Sequence, residues 1–302
     1  MKKIKFLLSA FLFLAAPAAV YSGDGITALP FLEMGAGARY IAMGGVGTAL
    51  AEDSAAMYWN PSLLTGGSGG CADLMHAAYD GGSHYDWISA SYAIGTNSAI
   101  GFCAQYFSAG TLEEFGASGE NLGRFTPYDA AVGLGYAVKI GAIGIGVAAK
   151  YIRSQIISAA NAYAFDFGIS APDILNGRLK LGAAITNVSE GIKYDSETED
   201  LPMALRFGAG FFLNDNLLVL ADIGKVKGRD AYAAFGGEFA VDVNADFLLA
   251  LRAGYNTIAE SEGLSGLCAG IGIGYKTLLI DYAFSPMGNL GDTHRASVTL
   301  YF

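Results

Sequence analysis

Ser68, within the run Gly66-Gly67-Ser68-Gly69-Gly70, has the literal G-x-S-x-G spacing of a nucleophile elbow, a strand-to-helix turn that exposes a serine hydroxyl for attack on a carbonyl. That chemistry needs a strand before the serine and a helix after it. The sequence offers neither, so the run reads as a flexible linker. His76, His84 and His294 fit no zinc spacing, and no metal is expected. His84 with Ser83 or Asp86 supplies the residue types of a hydrolytic triad, but neighbours in one hairpin cannot take up its geometry. The stretch GAGARYIAMGG, residues 35–45, is rich in glycine without the spacing of a dinucleotide or phosphate loop. Its glycines read instead as sites of close packing. Cys71, Cys103 and Cys268 are odd in number and far apart, which suits packing rather than a disulfide framework. The acidic run from Ser189 to Asp200 could bind a cation or dock a partner through Asp195, Glu197, Glu199 and Asp200. As a solvated external loop it needs neither role, and that simpler reading is preferred. The chain is expected to be no enzyme and to carry no cofactor.

The charges that remain are better explained by the elements that must carry them. Mean hydropathy is +0.38, 42 of 302 residues are glycine and only 15% are charged, yet no long apolar helix follows the N-terminus. From Cys71 onward the chain divides into about fourteen segments of ~9 to 13 residues, the length a tilted strand needs to cross a bilayer. Their centres fall near Leu74, Ser89, Cys103, Val132, Val147, Phe167, Ala183, Phe207, Leu220, Phe235, Ala250, Ala269, Asp281 and Val298.

Within a segment the residues alternate, as the period-two geometry of a strand requires. Tyr163, Phe165, Phe167 and Ile169 share one face and Ala164, Asp166, Gly168 and Ser170 the other. The same parity puts Asp129, Lys150, Asp166, Arg206, Asp222, Glu238, Arg252, Asp281 and Arg295 on the small, polar face. A soluble sandwich would bury its apolar face. Here charge shares a face with Gly, Ala and Ser, as in a narrow lumen. The fold expected is therefore all-β, a transmembrane antiparallel barrel of about fourteen strands. Opposite charges on neighbouring segments suggest a cross-strand ladder lining a filled lumen: Lys150 between Asp129 and Asp166, Arg206 with Asp222, Glu238 with Arg252, and Asp281 with Arg295.

Three parts follow. Lys2, Lys3 and Lys5 before the apolar run Phe6 to Val20 read as a secretory signal peptide, residues 1–22. Residues 71–302 form the barrel. Between them, residues 23–70 cannot fold alone and read as a short helical hatch inside the lumen. In it Ala42, Val46, Ala49 and Leu50 share a helical face. Asp53 and Ser54 can cap a second helix carrying Ala56 and Met57, and Pro61 forces Asn60 to extended geometry. The net charge of −10 argues against nucleic acid as a partner. A membrane barrel has outer-membrane lipid as its first.

The run from Gly37 to Leu64, GARYIAMGGVGTALAEDSAAMYWNPSLL, resembles the N-terminal signature of the PorV/PorQ family, relatives of the FadL-type outer-membrane transporters. The resemblance rests on Gly37, Arg39, Met43, Gly44, Gly45, Asp53, Tyr58, Asn60 and Pro61. Leu201 to Phe211 and Asp281 to Phe302 resemble the same family. The resemblance implies a fourteen-stranded barrel with an N-terminal hatch, in the outer membrane of a Gram-negative-type bacterium. It leaves two functions open. PorV-type members serve type IX secretion, contacting a secretion channel and cargo C-terminal domains. FadL-type members carry fatty acids or other hydrophobic small molecules. A crowded, charge-paired lumen tilts the expectation toward docking. The terminal aromatic Phe302 fits both a barrel-assembly signal and a lipid-facing side chain.

Overall fold

The computed structural model of the protein describes residues 27–156, 158–258, 266–286 and 292–302. The expected signal peptide lies outside the described residues. From residue 70 onward the chain forms one closed antiparallel barrel of fourteen strands. They are β1 (Gly70–Ala78), β2 (His84–Ile94), β3 (Ser98–Ser108), β6 (Tyr128–Ile140), β7 (Ile143–Gln155), β8 (Ala159–Ile174), β9 (Leu179–Val188), β12 (Ala204–Phe212), β13 (Leu217–Val226), β14 (Ala231–Asp242), β15 (Phe247–Asn256), β16 (Leu267–Tyr275), β17 (Leu278–Pro286) and β18 (Asp292–Tyr301). Two further hairpins form sheets of their own: β4 (Leu112–Phe115) with β5 (Asn121–Phe125), and β10 (Ile192–Tyr194) with β11 (Glu197–Glu199).

Each of the fourteen expected centres falls inside a barrel strand. The strands run from 9 residues in β1 to 16 in β8, longer at the upper end than expected. Closure comes from β1 pairing with β18, Cys71 opposite Tyr301 through Ala78 opposite His294. This pairing leaves the sheet without an edge, which a bilayer requires because it offers no water to satisfy free backbone groups.

Connections at the two ends differ. At the end where β1 begins, strands are joined by tight turns such as Gly141-Ala142, where Gly141 takes φ 63°. At the other end lie the long connections, carrying the β4–β5 and β10–β11 hairpins. Short turns at one rim and long loops at the other are the pattern of outer-membrane barrels.

Side chains sort by parity. Leu134, Tyr163, Phe165, Leu251 and Ile271 point outward and are exposed, while Ala164, Asp166 and Gly168 between them are buried. The packed core is therefore inside the barrel. It consists of Phe31, Leu32, Tyr40, Met43, Met57 and Leu63 from the N-terminal segment against Tyr85, Trp87, Ile152 and small residues of the wall.

Candidate functional site: the hatch and its seat

Residues 27–69 fill the lumen, running from the long-loop end to the short-turn end. At the start the Ala28 amide donates to the Asp200 carbonyl (2.9 Å) beside the β10–β11 hairpin, and Glu33 meets Arg229 at 3.1 Å. At the finish the chain enters β1, where the Gly70 amide donates to the Phe302 carbonyl at 2.6 Å. Phe302 itself is 68% exposed and points outward.

Local sequence explains the hatch's shape. A single helical turn, Ala38–Ala42, stops because Gly44 and Gly45 adopt φ 88° and 78°, a left-handed region open to glycine. The helical face expected from Ala42 to Leu50 is thus not one helix, although Ala42, Val46, Ala49 and Leu50 are all buried. A second turn, Ala56–Trp59, follows the carboxylate of Asp53, which accepts from the Ala55 amide (2.9 Å) and the Tyr40 hydroxyl (2.7 Å). Burial raises the Asp53 carboxyl above its ordinary range, against those two hydrogen bonds and Arg39. Asn60 is extended, as Pro61 demands, and accepts from the amide and hydroxyl of Ser62 (3.2 and 2.7 Å). Ser68 follows the 3-10 turn Pro61–Gly66 and precedes β1, the reverse of the order a nucleophile elbow requires.

The wall receives this segment in two ways. On β6–β8 the inward positions opposite it are glycines. A Cβ on Gly146 would collide with the Pro61–Ser62 peptide, and one on Gly168 with the Asn60 carboxamide. Asn60 Nδ2 also donates to the carbonyls of Thr48 (2.8 Å) and, on β8, Ile169 (3.1 Å). Gly101 and Gly135 leave room for Met57. The same device recurs at Gly236 and Gly254, which press on the Met43–Gly44 backbone, and Asn256 Nδ2 donates to the Gly44 carbonyl at 2.8 Å.

On β14–β17 the seat is ionic as well. Arg39 gives Nε and Nη2 to Glu238 (2.9 and 2.6 Å). Glu238 also accepts from Arg252 Nε (2.5 Å), and Arg252 Nη1 continues to Asp281 (2.6 Å). Arg252 can reach Asp281 two strands away because β16, which lies between, presents Gly272 inward: a Cβ there would fall 2.6 Å from the guanidinium.

The nine charges placed on the inner face all lie there, but their pairings differ in part from the expected ladder. Lys150 meets Asp166 at 2.8 Å, and Glu238 meets Arg252. Asp129 lies opposite Ser154, four residues along β7 from Lys150, and among the described residues no ion pair joins it to Lys150. Arg206 lies opposite Gly224, with its guanidinium over the rings of Tyr58 and Trp59 (5.4 and 5.7 Å). Its expected partner Asp222 instead accepts from the hatch amides of Gly47 and Thr48 (3.2 and 3.1 Å). Asp281 belongs to Arg252. Arg295, opposite Ala283, donates to the Met34 carbonyl and the Tyr79 hydroxyl. The luminal charges thus serve the hatch as much as one another. Asn187, which takes Lys150 (2.5 Å) and gives its amide to Asp166 (2.7 Å), and buried Asp73, bonded by Thr299 (2.7 Å), were not foreseen. Asp73 shares the inward parity of β1 with Cys71 and Met75, so that parity could have found it.

Fourteen antiparallel strands closed into a ring, one rim of short turns and a lumen filled by the chain's own N-terminal segment define a plugged barrel of the outer-membrane type. The profile of the type IX secretion system protein PorV matches residues 23–227, more than half of the chain, and the protein belongs to that family. No curated protein matches the sequence. Among solved structures the chain is similar to the Pseudomonas putida toluene transporter TodX, with TM-score 0.59 and 12% identity over 88% of this chain and 96% of that one. It is also similar to a Pseudomonas aeruginosa FadL homologue, with TM-score 0.56 and 11% identity over 88% and 98%. For the Ralstonia pickettii toluene transporter TbuX the values are 0.51 and 16% over 89% and 98%. At such identities these likenesses are of fold alone.

Proposed function

We propose that the protein works in the outer membrane of a Gram-negative-type bacterium as a closed docking barrel of type IX secretion. Its role is to hold the secretion channel, or the C-terminal domains of cargo, and not to catalyse a reaction. The observation that supports this most is the two-sided seating of the hatch. A segment pressed on glycines along β6–β8 and joined by Arg39 to the Glu238–Arg252–Asp281 chain is built to stay in place. Docking needs only the outer surface and the loops. In this reading the short turns face the periplasm and the long loops the exterior, and Phe302 marks the last strand for barrel assembly.

The test is affinity purification from native membranes in a mild detergent, with mass spectrometry of the proteins and lipids retained. A very large channel subunit or a secreted cargo protein is the expected companion. Stoichiometric fatty acid or another apolar ligand without a protein partner would replace this reading with transport of hydrophobic molecules.

A further inference from the structure

A cavity of about 340 Å³ opens at the short-turn mouth, between the end of the hatch and the wall. Its size is that of a site for a small ligand. Leu50, Leu64 and Phe212 give it an apolar side, and Arg39, Lys180 and Glu52 a charged one. Both cations are only partly committed. Lys180 pairs with Glu52 at 2.5 Å and lies 5.6 Å from the centre of the Phe212 ring. Of that pair Glu52 is the more exposed side chain, 31% against 13%. A solvated carboxylate on a flexible stem is displaced at small cost, because water takes it back. Arg39 uses Nε and Nη2 for Glu238, which leaves Nη1 outside that pair, and the side chain remains 29% exposed. Glu238 also accepts from Arg252 Nε. Asp53, the other acid lining the cavity, is turned to Tyr40 and Ala55.

We propose that this cavity binds a carboxylate-bearing ligand arriving from the short-turn side, its anionic group held by Lys180 and Arg39 in place of Glu52 and its apolar part against Leu50, Leu64 and Phe212. The site does not depend on the secretion reading. The carboxylate can belong to a free organic acid or to the C-terminus of a peptide.

Calorimetric titration of the purified full-length protein in detergent tests it with two matched pairs, hexanoate against hexanamide and N-acetyl-leucine against N-acetyl-leucinamide. The expected result is saturable binding of the acids at least tenfold tighter than of their amides, the worth of one charge-assisted contact. Tighter binding of N-acetyl-leucine assigns the site to peptide termini, and tighter binding of hexanoate to free acids. Lys180→Met lowers the affinity about tenfold or more. Glu52→Gln, which removes the competing carboxylate, raises it. Lys227→Gln, at the opposite mouth, leaves it unchanged. Heat-modified gel migration reports that each variant is folded. Equal binding of acid and amide, absence of binding, a folded Lys180→Met variant that binds like the parent, or a Glu52→Gln variant that binds no tighter would each overturn the proposal. None of these results bears on which proteins are retained in the membrane purification.

Discussion

The hatch meets the barrel on two sides by different physics. Along β6–β8 contact is between backbones, made possible by positions with no side chain, and the polar groups involved are neutral. Along β14–β17 the glycine contacts of Gly236 and Gly254 are joined by charge, two guanidinium groups and two carboxylates in one chain with no net charge. The first kind of contact depends on shape and barely on solution conditions. The second is stable only while every member is present, because a buried charge without its partner is costly. A segment held by both is fixed in position by one side and in register by the other.

This contrast can be broken at the ionic side first. Glu238→Leu leaves Arg39 and Arg252 short of an acceptor, and a loss on the order of 3–5 kcal/mol is expected, read as the shift in urea midpoint of tryptophan fluorescence from Trp59 and Trp87. On the glycine side Gly146→Ala forces the Pro61–Ser62 peptide away from β7. Overpacking of this kind costs about 1–3 kcal/mol, and the loss should be the same at low and high salt. A third variant separates burial from pairing. Since the Asp53 carboxyl is raised in the folded protein, folding favours its protonated form, so the parent loses stability as pH rises from about 4 through the raised value. Asp53→Asn should remove this group's share of the dependence, and a parent and variant with parallel midpoints from pH 4 to 7 would refute it. The smallest effect is expected at Lys227→Gln, which removes an exposed pair with Asp200 (2.6 Å). Such pairs contribute about 0–1 kcal/mol, so a larger loss of midpoint would mean that the β10–β11 connection is a structural brace.

Most of the barrel was legible because its signal is local. Alternation within ten residues locates a strand and says which face is wet, and at Tyr163–Ser170 nothing more was needed. Pairings were less legible because they depend on register between strands and on which inward positions are empty. Asp281 and Arg295 stand on adjacent strands, yet Arg295 lies opposite Ala283 and Asp281 opposite Ser297. Arg252 reaches Asp281 instead, across a glycine-lined β16. The hatch was the least legible part. Nothing near Arg39 announces Glu238, 199 residues away, and the helix expected across residues 42–50 ignored two glycines that turn the chain. The extended geometry of Asn60 before Pro61 was readable, but the Ile169 carbonyl and the Gly168 recess that receive Asn60 were not.

The hatch leads directly into β1, and β1 is one of the two strands that close the ring, pairing at its first residue with Phe302. The plug is attached to the seam itself, where Gly70 and Phe302 exchange backbone hydrogen bonds. Pairing β1 with β18 therefore also fixes the point, at Gly70, from which the N-terminal segment enters the lumen.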